Sequence, residues 1–448
     1  MKPAPLLLRL ASDRRGAIAV IFALAAIPMI IAAGVAVDLG QAYLVRSNLS
    51  RALDAATLAV AASTDTTTAT LSSRLAKTFA ANYTLSSVAA ASAPTMTINN
   101  NTVTASVSAV VPMSLTAMIV PSITVSVTSV VNKNTTGVEL VLALDTTGSM
   151  ADNNKMVELK AAAHSMVSTI FNGQSSATAA FVGIVPFTDT VNIGSANTSF
   201  VSPAPSTYDW GKDSRGNALG WGGCVMAPAS PYDQQDAYSV SGGKWAPYYY
   251  PSSSSNLWKT TKNGKTTYNI TSSQGPNVGC VNAAITPLTN QRAPLDAAID
   301  ALTPNGSTHI NVGMAWAWYT ISPSAPFTQA APYDSPLFKK YVVLMTDGEN
   351  TFQTFSAYGN LSDGKLGTTN QSAAVTQLNT RLKAACDNMK ALGITIFTVA
   401  LEVTSQTAKD MLAYCATPPG RYFEAQSSDL SAVFSTIGGQ ISKVRIAQ

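Results

Sequence analysis

From Gly16 to Val37 the chain runs for 22 residues without a charged side chain, GAIAVIFALAAIPMIIAAGVAV. As an α-helix rising 1.5 Å per residue this run is about 33 Å long, enough to cross the hydrocarbon core of a bilayer. The residues before it carry Lys2, Arg9, Arg14 and Arg15 against one acid, Asp13. That asymmetry puts the N-terminal side in the cytoplasm. A cleaved secretory signal has a shorter apolar core and ends at a break. Here the run passes directly into Asp38 and a further helical pattern. The expectation is therefore a retained single-pass anchor, residues 16–37, with a cytoplasmic tail at 1–15. Pro28, in mid-span, should kink this helix rather than forbid it.

Beyond Asp38, the sequence from Leu39 to Val60 keeps a helical pattern. Ala52, Ala55, Ala56, Ala59 and Ala62 form a small-residue face, which suits close packing on a partner helix along 39–62. An Ala-rich stalk without a partner fits the same residues. From Thr95 to Val131, Thr and Ser alternate with Val and Ile, the mark of half-buried strands. Asn99, Asn100 and Asn101 mark a turn. Residues 38–131 thus read as a stalk helix with a small antiparallel unit packed on it, and 132–137 as a link to the rest of the chain.

Charged residues are only 12% of the 448, about half the usual share for soluble domains. The net charge of +4 is spread without a basic, aromatic-rich face, so nucleic acid is not an expected partner. Cys224, Cys280, Cys386 and Cys415 make no CxxC pair, which argues against a zinc site. In an oxidising compartment two sequence-local bridges are expected, Cys224 with Cys280 and Cys386 with Cys415. Four buried free thiols are the other reading.

A different apolar run, Leu140 to Leu144, has the length and continuity of a strand covered on both faces. It stops at Asp145, and Thr147, Gly148 and Ser149 then turn the chain. A carboxylate and two hydroxyls at alternate positions can point at one centre, and hard oxygens suit Mg²⁺ or Ca²⁺. They also suit a helix cap. A second apolar strand, 340–346, ends in Thr346-Asp347-Gly348, and Asn305-Gly306-Ser307-Thr308 precedes another helical stretch.

Asp145-x-Thr147-x-Ser149 resembles the first metal loop of a von Willebrand factor A domain, Asp-x-Ser-x-Ser, with threonine in place of the first serine. The two later segments resemble its second and third loops. The resemblance implies a metal-ion-dependent adhesion site made of Asp145, Thr147, Ser149, Thr308 and Asp347. Its ion would be Mg²⁺, or another divalent cation such as Ca²⁺ or Mn²⁺. It also implies an α/β fold over 138–443, a doubly wound and mostly parallel sheet. Strands and helices alternate as that fold requires, with helices at 155–171, 294–302, 372–391, 405–415 and 428–443. Residues 196–288 interrupt the order as an irregular insertion holding Trp210, Trp221, Trp245, Tyr248, Tyr249, Tyr250 and Trp258. Those rings suit either a binding surface or the insertion's own core. His164 has no acid or nucleophile near it in sequence and reads as structural or solvent-facing. His309 reads as a helix-start residue beside Thr308.

Arg15-Gly16-Ala-Ile-Ala-Val-Ile-Phe-Ala-Leu and Gly34-Val-Ala-Val-Asp38 resemble the N-terminus of the TadG-like component of the Flp (tight-adherence) pilus machinery. Prepilin processing after glycine goes with a glutamate five residues on. That position here is Ile21, in keeping with an uncleaved anchor. The resemblance implies a bacterial inner-membrane protein with a periplasmic A domain that binds an acidic residue of a pilus or envelope protein through its metal. A surface adhesin using the same site is the alternative. An A domain coupled to a cytoplasmic motor conflicts with the span and the paired cysteines. No Ser-His-Asp, Cys-His or paired-carboxylate arrangement beside a nucleophile is visible, so the chain is not expected to be an enzyme.

Overall fold

The computed structural model describes residues 15–63, 68–99, 102–118, 120–132, 137–236, 242–335, 337–353 and 355–444. The expected tail residues 1–14, Asn100 and Asn101 of the expected turn, and link residues 133–136 lie outside them. The chain divides into two compact units, Met1–Thr135 and Thr136–Gln448.

In the first unit, α1 (Arg15–Ala61) is one 47-residue helix that runs through Pro28. It is long and apolar enough to cross a membrane, and its first part keeps its side chains outward, Ile21, Phe22 and Ile30 among them. After Asp38 the burial changes to a stripe at three- and four-residue spacing, Ala42, Val45, Leu49, Leu53, Ala56 and Val60. That stripe faces a core shared with α2 (Thr68–Asn82), which contributes Leu71, Leu75 and Phe79. A three-stranded antiparallel sheet closes this core, β1 (Thr95–Asn99), β2 (Thr102–Pro112) and β3 (Ser122–Asn132), in the order β1-β2-β3. Along β2 the valines and alanines at 103, 105, 107, 109 and 111 point inward, and the intervening Thr and Ser are half-buried. Of the alanine face, Ala52 and Ala56 are buried inside this unit, Ala55 and Ala59 are half-buried and Ala62 is exposed. Much of the surface expected to meet a partner helix is therefore used internally.

The second unit is a mixed α/β domain. In chain order it holds β4 (Gly137–Asp145), α3 (Lys155–Ile170), β5 (Ala180–Phe187), β6 (Thr286–Thr289), α4 (Arg292–Asp300), α5 (Ile310–Ile321) and β7 (Phe338–Thr346). It ends with α6 (Gln371–Ala391), β8 (Thr395–Leu401), α7 (Gln406–Cys415), β9 (Tyr422–Ala425) and α8 (Leu430–Val444). Gly137, expected to belong to the link, already pairs in the sheet. The strand order is β6-β5-β4-β7-β8-β9, parallel throughout except for β6 against β5. Every residue of β4 is buried, because the sheet is covered on both faces. Leu140, Leu142 and Leu144 face α3, α4 and α8, while Val141 and Ala143 face α5 and α6. The polar exception, Glu139, is neutralised by Lys340 of the neighbouring strand and accepts the Ala331 N–H at 2.6 Å.

This topology decides where a site can form. The chain leaves β4 toward α3 on one face and leaves the adjacent β7 toward α6 on the other. Loops that part in opposite directions leave a crevice at the carboxyl ends of those two strands.

Both expected disulfides are present, Cys224–Cys280 and Cys386–Cys415. The second ties α6 to α7 across 29 residues, worth about 3–4 kcal/mol by the chain-entropy model. The insertion is folded, with short ribbons pairing 191–192 with 224–225 and 259–262 with 265–268. Its aromatic rings are not a display surface. Trp210, Trp221, Trp245, Tyr248, Tyr250 and Trp258 are buried, and Trp245 packs with its ring centroid 5.0 Å from that of Trp316 in the wholly buried α5. Asp233 of the insertion pairs with Arg381 of α6 and accepts the Tyr358 hydroxyl at 2.7 Å. The insertion is thus the outer wall of one half of the domain core.

Candidate metal centre

Asp145 is the last residue of β4 and lies beside Thr346, the last of β7, whose hydroxyl donates to Asp145 Oδ2 at 2.6 Å. The Thr147 N–H donates to Asp145 Oδ1 at 2.8 Å. Asp145 does not cap α3: that position is Asn154, at φ 57°. The chain instead makes a short 3₁₀ turn over Gly148–Ala151, which sets Thr147 Oγ1 and Ser149 Oγ 3.2 Å apart. Ser149 Oγ donates to Asp347 Oδ1 at 2.8 Å, so the first and third loops meet directly.

The second loop is tied to both. Gly148 N–H donates to Gly306 O at 3.0 Å, and Asn305 N–H donates to Thr146 O at 2.8 Å. Thr308 N–H donates to the Thr351 hydroxyl at 3.1 Å, and Thr351 N–H returns a bond to Thr308 O at 2.9 Å. Gly306 has φ +74°, and a Cβ there would press on Thr188 at 3.2 Å, so glycine is needed for this approach. Asp145, Thr147, Ser149 and Asp347 are in one hydrogen-bonded cluster, and Thr308 stands in a loop laced to its two sides.

The electrostatics of this cluster are unbalanced. Asp145 and Asp347 are both buried. Burial, and then the neighbouring Asp347, push the Asp145 carboxyl up to about 7 against the bonds from Thr346 and Thr147. Two acids facing each other in a dry crevice favour a cation, and the remaining donors are all hard oxygens, a set that fits Mg²⁺, Ca²⁺ or Mn²⁺. Among the described residues no three His, Cys, Asp or Glu side chains are grouped for a metal, so any ion here would depend on two carboxylates with hydroxyls and water.

The roles of Lys155 and Thr346, and a third acid beside the second loop, were not foreseen from the sequence. Lys155, the first residue of α3, is buried and donates from Nζ to Asp347 Oδ2 at 2.9 Å. It gives the acid pair one positive charge, and nothing in the local sequence singles it out across 192 positions. Its charge also helps hold the Glu402 carboxyl below its ordinary range, after the hydroxyl of Ser427 and the amide of Asn153. Thr346 could have been found from strand register. Asp189 follows the adjacent β5 in Thr188-Asp189-Thr190, an acid among hydroxyls after an apolar strand, as at Asp145. It too is buried, which raises its carboxyl to about 7 against bonds from Thr188 and the Ser307 backbone.

One histidine has partners that the sequence did not show. His164 bridges two acids of α4, Nδ1 to Asp296 at 2.9 Å and Nε2 to Asp300 at 3.0 Å. Helix packing brings these acids to it from 132 and 136 positions away, a proximity hidden in the sequence. His309 is the residue before α5, fully buried between Phe352 and Tyr358, and burial lowers its ring to about 3, so it is neutral.

Residues 16–63 match a family model described as "Putative Flp pilus-assembly TadE/G-like". The N-terminal segment is TadE/G-like. Among solved structures, the chain is similar to the pilus adhesin SpaC from Lactobacillus rhamnosus GG, with 11% identity and a TM-score of 0.39. That match covers 78% of this chain and 34% of SpaC, so this chain spans about a third of the adhesin's length. It is similar to the vWF domain of the type V pili tip protein Mfa5 from Porphyromonas gingivalis, with 13% identity, a TM-score of 0.38, and 69% and 96% of the two chains covered. Proximal thread matrix protein 1 from the mussel byssus, with a zinc-occupied MIDAS motif, matches at 14% identity and TM-score 0.32 over 70% and 46%. None of the curated proteins compared with it matches.

Proposed function

We propose that this chain is a membrane-anchored component of Flp pilus assembly whose α/β domain binds a protein partner through a divalent metal. The observation that carries the binding reading is the convergence of three loops on a buried acid pair, Asp145 and Asp347, at the carboxyl ends of β4 and β7. Asp145, Thr147, Ser149, Thr308 and Asp347 are the proposed ligands. Thr346 holds one oxygen of Asp145, Ser149 bridges to Asp347, and Lys155 balances part of the negative charge. A divalent cation held there supplies the charge that attracts an acidic residue of a pilus or envelope protein. Two carboxylates, with Lys155 already offsetting one of them, leave such an ion net positive, so that an incoming carboxylate is attracted to it.

The TadE/G-like match and the apolar first part of α1 support the membrane reading. Residues 16–37 are the proposed inner-membrane span, with the N-terminus cytoplasmic and the α/β domain periplasmic, where both disulfides are stable. The test uses the full chain in nanodiscs to capture envelope proteins with Mg²⁺ or with a chelator. Mg²⁺-dependent capture that Asp145→Ala abolishes is the expected result. Capture that persists in Asp145→Ala with the metal chelated would overturn the metal bridge. Protease shaving of intact cells should spare the domain; its removal would favour a surface adhesin.

A further inference from the structure

The loop joining β2 to β3 runs from Met113 to Pro121 and carries no charge; the nearest charged residues in sequence are Lys77 and Lys133. Leu115, Met118 and Val120 are exposed, Met118 completely. Such a tip is costly in water, where turns are normally polar. Its first residues are nonetheless held to α1. Leu115 lies over Gly34 of α1, where an added Cβ would come within 3.0 Å of the leucine Cβ. Asp38, one turn further on, accepts the backbone N–H groups of Ser114, Leu115 and Thr116 at 2.8–3.3 Å and the Thr116 hydroxyl at 2.7 Å.

Gly34 lies within the charge-free run, three residues, or about 4.5 Å, before its end at Val37. On the same turns of α1, Ile31, Val35 and Val37 are exposed. The tip of the loop therefore continues the apolar surface of the charge-free run sideways, near that run's C-terminal end. Besides the three N–H groups that Asp38 takes up, the Met113 N–H donates to Pro121 O at 3.1 Å and the Val120 N–H to Thr116 O at 2.9 Å, which lessens the cost of a low-dielectric setting.

We propose that the loop around Leu115, Met118 and Val120 is a second membrane contact, a hairpin tip that enters the outer leaflet beside the span and fixes the tilt and height of the stalk. Its occupant is the lipid of the bilayer that α1 crosses, and the inference rests on reading residues 16–37 as that span. Interfacial elements of this kind bury apolar side chains about 5–10 Å into the headgroup and acyl boundary. Asp38 is the positioning residue: it lashes the loop to the helix.

The test uses the full chain in liposomes with an environment-sensitive dye on one introduced cysteine, the four native ones being bridged. Ile27→Cys reports the span, Met118→Cys the loop and Ser73→Cys, on an exposed face of α2, the water phase. A lipid-borne quencher should act at 27 and at 118, and not at 73. Adding Asp38→Ala to Met118→Cys should lower the quenching at 118 and leave that at 27 unchanged. Quenching at 27 with none at 118 would overturn the inference while the anchor stands, and shielding of 118 from both lipid and aqueous quenchers would assign the tip to a protein instead. Absence of quenching at both 27 and 118 would overturn the anchor and this inference together.

Discussion

Asp38 and Asp145 are both buried aspartates at the C-terminal end of an apolar segment, the first on a helix and the second on a strand. Asp38 receives three backbone N–H groups and one hydroxyl from a single loop. Those bonds, the Thr116 hydroxyl first, outweigh burial and hold its carboxyl below the ordinary range. Asp145 receives one N–H and one hydroxyl and faces a second acid, and its carboxyl is raised. Burial penalises both charges; the donors present decide the outcome. The protein's own amides complete the first site, which is structural. The second has one ammonium, that of Lys155, for two carboxylates, so it keeps an excess of negative charge.

Asp145→Ala should lower Mn²⁺ or Mg²⁺ affinity by at least about 100-fold in calorimetry, since a lost charged ligand is worth several kcal/mol. It should leave the α/β domain folded, because one of two mutually repelling acids has gone. A wild-type affinity unchanged by this substitution would mean the ion binds elsewhere. With metal near 100 times its Kd, the domain should gain about 2.7 kcal/mol, seen as a rise in melting temperature that a chelator reverses. No shift would remove the case for Asp145 as a cation site. Lys155→Met should tighten metal binding about tenfold, because the ammonium and the ion compete for Asp347; a factor of ten is about 1.4 kcal/mol. Weaker binding would show instead that Lys155 organises the site.

At the other aspartate the effect is on order and pH. A carboxyl held below its unfolded value contributes stability above that value, about 3.9, and loses it as pH falls through the lower folded value. The amides of Ser114, Leu115 and Thr116 should therefore stay protected from hydrogen exchange at about pH 5 and lose protection only in acid below the ordinary carboxylate range. Loss of protection already at about pH 5 would contradict the lashing. Ser149→Ala should have the smallest effect, about threefold to tenfold in metal affinity, since it removes a neutral donor worth about 1 kcal/mol.

The pieces of the candidate centre were legible because each is local. Asp145-Thr146-Thr147-Gly148-Ser149 and Thr346-Asp347-Gly348 announce themselves where an apolar run ends; that their strands are neighbours appears only in the sheet. The long apolar helix was legible for the same reason, as were the cysteine couples. Lys155 was not, because its partner is 192 residues away and helix α3 must be docked before the two meet. His164 hid its two acids in the same way, and the insertion's rings gave no sign of whether they pointed in or out.

The elements follow from local pattern: apolar length made the first part of α1, strand periodicity made the sheets, and the acid-hydroxyl turns marked the loops that meet. Tertiary structure alone decided which charges are neutralised. Asp38 is satisfied by a loop 76 positions downstream, whereas Asp145 is packed against Asp347 with a single ammonium nearby. The reason is physical. Helix and strand formation depend on neighbours in the chain, while the free energy of a buried charge depends on the donors and charges that packing brings within a few ångströms.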